Sequence, residues 1–246
     1  MEEYKSRKNY GLLGVQSVRK AIALYSGGKD SHYSVLSSYY QGIITDALVV
    51  ALPRRDDSWL FHAVNALWSK LHGEAMGVPV YIVPVSGVRD VELSELRDGL
   101  SRILREYPYV DYLVTGAVKS KYQLERFRAL SEDLGLKLHA PLWNQNEVEL
   151  LNREVRDLSF IVTAVQAYCL SLRVLGNPSG SEILRYLVTA HKDCGVSLVG
   201  EGGEFETYVI GSPLFKGRGI AISKATMILH PNFHAGYFII ENAELL

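Results

Sequence analysis

Residues 20–31 read Lys-Ala-Ile-Ala-Leu-Tyr-Ser26-Gly27-Gly28-Lys29-Asp30-Ser31. The apolar run Ala21–Tyr25 has the length and composition of a buried strand. It breaks at two glycines, and a helical pattern follows at once through His32–Tyr40. A strand that stops at glycines and restarts as a helix aims the helix's first unpaired N–H groups, and the positive end of its dipole, at one point in space. That point attracts phosphate. Gly27 and Gly28 have no Cβ to hold a phosphate off the backbone. The Ser26 and Ser31 hydroxyls add hydrogen bonds, and Lys29, at an exposed helix start, adds a positive charge. Asp30 suits a Mg²⁺ or a helix cap. The spacing is not that of the common P-loop, which needs four residues between its first Gly and the Gly-Lys-Ser/Thr.

Outward from this turn, strand-like runs alternate with helical patterns. Asp46–Leu52 leads to a helix over about Trp59–Met76. Val78–Val85 leads to one over about Val91–Glu106, and Tyr112–Val118 to one over about Tyr122–Leu134. This alternation predicts a parallel sheet covered on both faces, with its ligand site at the strands' carboxyl ends. Ser26–Ser31, the segment after Leu52 and Gly116–Tyr122 all fall at such ends and should converge, the segment after Leu52 being placed for adenine. Trp59, Phe61 and Trp68 read as packing. Beyond about residue 140 the pattern changes. Helices are expected over Asn146–Arg156 and Ser181–Cys194, and strands over Leu158–Ala164, Phe205–Ile210, Ile220–Leu229 and Tyr237–Glu241. The expected organisation is an extension over 1–19, a nucleotide-binding α/β domain over 20–140 and a smaller α+β domain over 141–246.

Composition narrows the function. A formal net charge of −1 over 246 residues argues against a protein built mainly to hold nucleic acid. No apolar run is long enough for a membrane span. The two cysteines, Cys169 and Cys194, have neither metal-ligand nor redox spacing, which fits a reducing cytoplasm, and Cys194 reads as core. No histidine pair has convincing metal spacing.

Two further stretches carry chemistry. In Gly200-Glu201-Gly202-Gly203-Glu204-Phe205-Glu206-Thr207, three carboxylates crowd around two glycines. If extended, Glu204 and Glu206 share a face, and their repulsion calls for a cation or a proton. In Gly116-Ala-Val-Lys-Ser-Lys121-Tyr122-Gln123-Leu-Glu-Arg126, a strand gives way to a basic helix start. Tyr122 and Arg126 lie one turn apart, a pocket for a second anion.

These stretches, with Glu74-Ala-Met-Gly-Val-Pro79 and Pro141-Leu-Trp143, carry a resemblance. Ser26–Ser31 resembles the PP-loop of the N-type ATP pyrophosphatases (adenine nucleotide alpha hydrolase-like fold). The whole set, over about residues 20–220, resembles the diphthine–ammonia ligases, or diphthamide synthases. The loop is shared by many PP-loop enzymes, whereas the Glu-Gly-Gly-Glu-aromatic-Glu-Thr run is much more specific to this family. Phe205 stands where the family usually has Tyr, and Gly211-Ser212-Pro213 where it has Asp-Ala-Pro.

The resemblance implies an ATP- and Mg²⁺-dependent amide ligase acting on diphthine in elongation factor 2, with free ammonia as the nitrogen source, in the cytoplasm. A homodimer is compatible with it. Ser26, Gly27, Gly28, Lys29, Asp30, Ser31 and Gly116 would hold ATP, with Asp30 on Mg²⁺. Lys29, Asp30, Glu201, Glu204 and Glu206 would serve catalysis. Lys121, Tyr122, Gln123, Arg126, Trp143, Gly202, Gly203, Phe205 and Thr207 would bind the acceptor, with Phe205, Tyr208, Trp143 and Tyr122 caging its quaternary ammonium. The rival readings are a tRNA-modifying PP-loop enzyme, disfavoured by isolated cysteines and near-zero charge, and a non-catalytic nucleotide-binding protein.

Overall fold

The computed structural model describes residues 18–54, 65–230, 232 and 234–246. The first half is a parallel sheet of β1 (Arg19–Leu24), β2 (Ile43–Pro53), β3 (Val80–Val85), β4 (Tyr112–Val114) and β5 (Lys137–His139), in the order β3-β2-β1-β4-β5. Helices α1 (Lys29–Tyr40), α2 (Ser69–Met76), α3 (Val91–Ile103) and α4 (Lys121–Asp133) connect the strands. The central strands read as continuous apolar runs because both faces are covered. Ala21, Ala23, Leu48 and Val50 pack into one cluster, and Ile22, Ala47 and Val49 into another on the opposite face. The strand order reverses between β1 and β4, so the crevice of this sheet opens where Ser26–Ser31 and Gly116 leave their strands.

The second half holds α5 (Glu147–Asp157), β6 (Ser159–Val165), α6 (Ser181–Cys194), β7 (Phe205–Gly211), β8 (Ile220–His230) and β9 (Ala235–Leu245). The four strands form an antiparallel sheet in the order β7-β6-β9-β8. Strand β7 lies against the glycine turn: Val209 N–H donates to the Gly27 carbonyl at 3.0 Å. From β9, Ile240 N–H donates to the Asn65 side chain, and the Ile240 carbonyl accepts from Trp68 Nε1. The two sheets thus close on each other beside the crevice.

Three expectations need correction. Strand β4 stops at Val114 rather than Val118, because Gly116 backs directly onto the start of α1. The helix expected over Trp59–Met76 is described only from a 3-10 turn at Ala66–Trp68 into α2; its earlier part, with Trp59 and Phe61, lies outside the described residues, as do residues 1–17 of the expected extension. The cysteines are paired. Cys169 and Cys194 form a disulfide with their Cα atoms 6.3 Å apart, and Cys194 is exposed rather than core. Sequence spacing cannot show such a pairing, because the loop after β6 folds back over the end of α6. Closing a loop of this length contributes on the order of 3 kcal/mol in the chain-entropy description. Among the described residues, no helix is long and apolar enough to cross a membrane.

Candidate active site

The glycine turn is pre-ordered by its own hydroxyls. Ser31 Oγ donates to the Gly28 carbonyl at 3.0 Å, which commits its proton. The Ser26 hydroxyl therefore donates to Ser31 Oγ at 3.1 Å, and Ser26 Oγ accepts from Gly28 N–H at 3.3 Å. Ser26 N–H also donates to Ser31 Oγ. Gly27 takes φ +85°, open to glycine, and a Cβ there would sit 2.9 Å from Ser69 Oγ. Gly28 is the N-cap of α1 without any side-chain cap, so the first-turn amides face the crevice with little competition. One is taken by the other half: Lys29 N–H donates to Thr207 Oγ1 at 3.0 Å.

A pocket opens in front of this turn. It is lined by Ser26, Gly28, Asp30 and Ser31, by Thr115, Gly116 and Gln123, and by Glu201, Phe205, Glu206 and Thr207 of the second half. Its apolar wall is Leu24, Val49, Ala51 and Phe127. The segment after Leu52 that was expected to receive adenine mostly lies outside the described residues. The apolar wall was missed in the sequence because only the strand register brings β1, β2 and α4 to one place.

Lys29 contradicts its expected exposure. It is fully buried and does not line the pocket. Its Nζ donates to Asp30 Oδ1 at 2.7 Å and to the Val199 carbonyl at 3.2 Å, and it lies 3.3 Å from Glu154 Oε2. Burial alone would depress this ammonium. The charges of Asp30 and Glu154 outweigh it and hold Lys29 cationic. Glu154, on α5, is also fully buried. One cation between two carboxyls leaves an excess negative charge, so burial, together with Asp30, pushes the Glu154 carboxyl well up.

The acidic run is relieved mainly by backbone rather than by a cation. Glu201 accepts from Val118 N–H at 2.7 Å and from Lys119 N–H through both oxygens. Glu204 turns away from the pocket to accept from Ser197 N–H at 3.0 Å. Glu206, like Asp30, lines the pocket. Among the described residues, no group of three or more acidic, His or Cys side chains is arranged to hold a metal ion. Asp30 and Glu206 are the pocket carboxylates a Mg²⁺ could use, since that ion takes one or two carboxylates and its remaining ligands from phosphates and water.

The basic and aromatic candidates are not gathered. Arg126 pairs with Asp90 at 2.5 Å and lies over the Tyr122 ring at 3.6 Å. Lys121 is exposed, and neither it nor Tyr122, Trp143, Gly202 or Gly203 lines the pocket. The expected cage therefore does not form. Tyr208 is buried, stacks on His72 at 4.6 Å and donates its hydroxyl to the Trp68 carbonyl, so of the four aromatics only Phe205 reaches the pocket. Alternation along β7 turns Tyr208 to the core.

Two family models cover this architecture: the diphthamide synthase N-terminal domain matches residues 19–138, and the diphthamide synthase C-terminal domain matches residues 146–246. A human protein named diphthine–ammonia ligase is 30% identical over 235 residues, covering 86% of this chain and 85% of the human one. The chain belongs to the diphthamide synthase family. A zebrafish (Danio rerio) diphthine–ammonia ligase is 31% identical, with 86% and 89% covered. The Schizosaccharomyces pombe protein of that name is 31% identical, but the chain spans only 36% of its length. A solved structure from Methanocaldococcus jannaschii, described as a predicted subunit of tRNA methyltransferase, overlays with a TM-score of 0.39 at 14% identity, covering 79% of this chain and 98% of its own.

Behind the turn, this family member carries a buried relay that the sequence did not announce. His72 Nε2 lies 2.7 Å from the Val209 carbonyl and must donate to it, so His72 Nδ1 accepts from the Tyr25 hydroxyl at 2.8 Å. Tyr25 then accepts from His32 Nδ1 at 2.5 Å, and His32 Nε2 accepts from the Ser212 hydroxyl at 2.6 Å. This order holds with both imidazoles neutral, the state that burial favours, and Ser212 joins the relay where the family usually has Ala.

Burial pulls His72 down to about 4 against the Val209 hydrogen bond, and burial, with His72 beside it, pulls His32 well down. An unfolded histidine titrates near about 6.5, so the unfolded chain binds more protons between about 6.5 and about 4. The contribution of His72 is therefore fully present above that window and is lost as pH falls through it, to a total of about 3 kcal/mol. Urea unfolding at pH 7.5 and pH 5 should show roughly 2 kcal/mol lost by His72 alone at the lower pH. Equal midpoints and slopes at both pH values would contradict the relay.

Proposed function

We propose that this chain is an ATP-dependent amide ligase that converts diphthine on elongation factor 2 to diphthamide with ammonia, releasing AMP and pyrophosphate. The observation supporting this most is the composite pocket, in which a phosphate-binding turn of the first half meets the family-specific acidic run of the second. A carboxylate resists ammonia because it is already anionic and has no leaving group. Attack of its oxygen on the α-phosphorus of ATP breaks the bond to the β-phosphate bridge, and pyrophosphate leaves. Ammonia then attacks the acyl carbon, AMP departs and the nitrogen loses a proton.

The protein's share is positioning and charge neutralisation. The first-turn amides of α1 that Thr207 leaves free hold the pyrophosphate, and the Ser26 and Ser31 hydroxyls keep the turn in shape. Leu24, Val49, Ala51 and Phe127 take the adenine. Asp30, with Glu206, would hold Mg²⁺, which would neutralise phosphate charge. Residues 141–246 receive the acceptor, and Glu206 faces the acyl centre. An acceptor on elongation factor 2 sets the reaction in the cytoplasm.

The test is pyrophosphate release with elongation factor 2 carrying diphthine. Release should require both ATP and this acceptor, and amide formation, read by mass spectrometry, should require ammonia as well. Release that is stimulated by tRNA and not by the acceptor, or no release at all, would overturn the reading.

A further inference from the structure

Glu154 lies outside every motif singled out in the sequence, yet it completes the environment of the residue beside the pocket's carboxylate. Lys29 has three ammonium protons. Two go to Asp30 Oδ1 and the Val199 carbonyl, and Glu154 Oε2 stands 3.3 Å away as an ion-pair partner that makes no hydrogen bond of its own. Asp30 lines the pocket on one side, and Val199 lines it on the other with Gly200, Glu201 and Phe205. The Lys29 ammonium therefore fixes one group on each side of the pocket from behind. Without this polar partner from α5, a fully buried ammonium would face one carboxylate and an apolar wall, and the cheapest relief is to swing toward water, which lies through the pocket.

We propose that Glu154 is a positioning residue of the nucleotide site: it retains Lys29 behind the turn, so that Lys29 orients Asp30 and anchors the acidic run instead of entering the phosphate pocket. The role rests on the ATP-binding part of the proposed function and is independent of the acceptor. It makes the site a joint product of both family domains, since Lys29 and Asp30 come from the first and Glu154 and Val199 from the second.

The test reads ATP affinity by calorimetry, with Mg²⁺ present, alongside thermal unfolding. Glu154→Leu keeps the volume but removes the acceptor, and ATP binding should weaken at least tenfold. Glu154→Gln keeps an acceptor oxygen and should recover most of that loss. The double variant Lys29→Met with Glu154→Leu replaces the buried pair by apolar groups, a change that often restores stability. Its melting temperature should return toward the native value while ATP affinity stays low, because Asp30 has lost its orienting cation. A purely structural role predicts that affinity and melting temperature recover together. That result, or native ATP affinity in Glu154→Leu, would overturn the assignment. A native protein that binds no ATP at all would instead remove the nucleotide reading, and this role with it.

Discussion

Gly116→Ala should weaken ATP binding and slow turnover by about 100-fold or more while the protein still folds. A Cβ at this position would lie 2.8 Å from Ser31 N and 2.9 Å from both Asp30 C and Ser31 Cα. These are backbone atoms of the first turn of α1, so no side-chain rotation relieves the clash. Either the end of β4 or the start of α1 must move, and both carry the pocket wall. Overpacking by one methyl costs about 1–3 kcal/mol, which lowers the melting temperature by only about 5 °C in a chain of this size. A displacement of about 1 Å in a site that works by positioning costs about 100-fold in rate. Gly180→Ala is the control: its Cβ meets nothing within 4 Å, and it should be neutral in both assays. ATP affinity and pyrophosphate release within threefold of native in Gly116→Ala would mean that the phosphate site lies elsewhere.

The alternation of apolar runs and helical patterns was enough to place the parallel sheet and its crevice, because a doubly covered sheet demands continuous apolar strands. The second sheet was visible as strands but not as an arrangement, since antiparallel order among β6–β9 is set by long-range pairing that leaves no local pattern. The same limit explains Lys29. A helix start is usually exposed, and nothing near residue 29 in the sequence signals that α5, more than a hundred residues later, supplies Glu154 and closes over it. Glu154 read as an ordinary charge on a helix because its burial depends on a partner in another domain. His32 and His72 were invisible for a related reason. Their tautomers and their value follow from Tyr25, Val209 and Ser212, and no pair among these has motif spacing. The glycine turn was legible residue by residue because its chemistry is local: two glycines and two hydroxyls at a strand–helix junction allow few other structures.

Glu201→Ala should be the most damaging change in the acidic run. The resemblance placed Glu201 among the catalytic residues, but its carboxylate is engaged by the amides of Val118 and Lys119. Those amides belong to the turn that follows Gly116, so Glu201 is a strut between the two halves across the pocket floor. Removing it strands the buried Val118 donor, at about 1–3 kcal/mol, leaves the exposed Lys119 N–H to water, and frees the turn that follows Gly116 and leads to Gln123. Turnover should fall by about 100-fold, with a melting temperature lower by roughly 5 °C. Glu201→Gln separates strut from catalyst. Its carbonyl oxygen can still accept one amide, while its NH₂ faces a donor, so a strut predicts a partial loss of about tenfold. A carboxylate acting on the acyl centre predicts that Gln is as inactive as Ala with stability unchanged. Glu204→Gln offers the contrast from the same run: Glu204 accepts from Ser197 outside the pocket, and its loss should leave ATP binding unchanged. Pyrophosphate release and thermal unfolding across the three variants decide the matter. Equal activity in Glu201→Ala and Glu204→Gln would remove the strut, and with it the account of how the second half holds the pocket in shape.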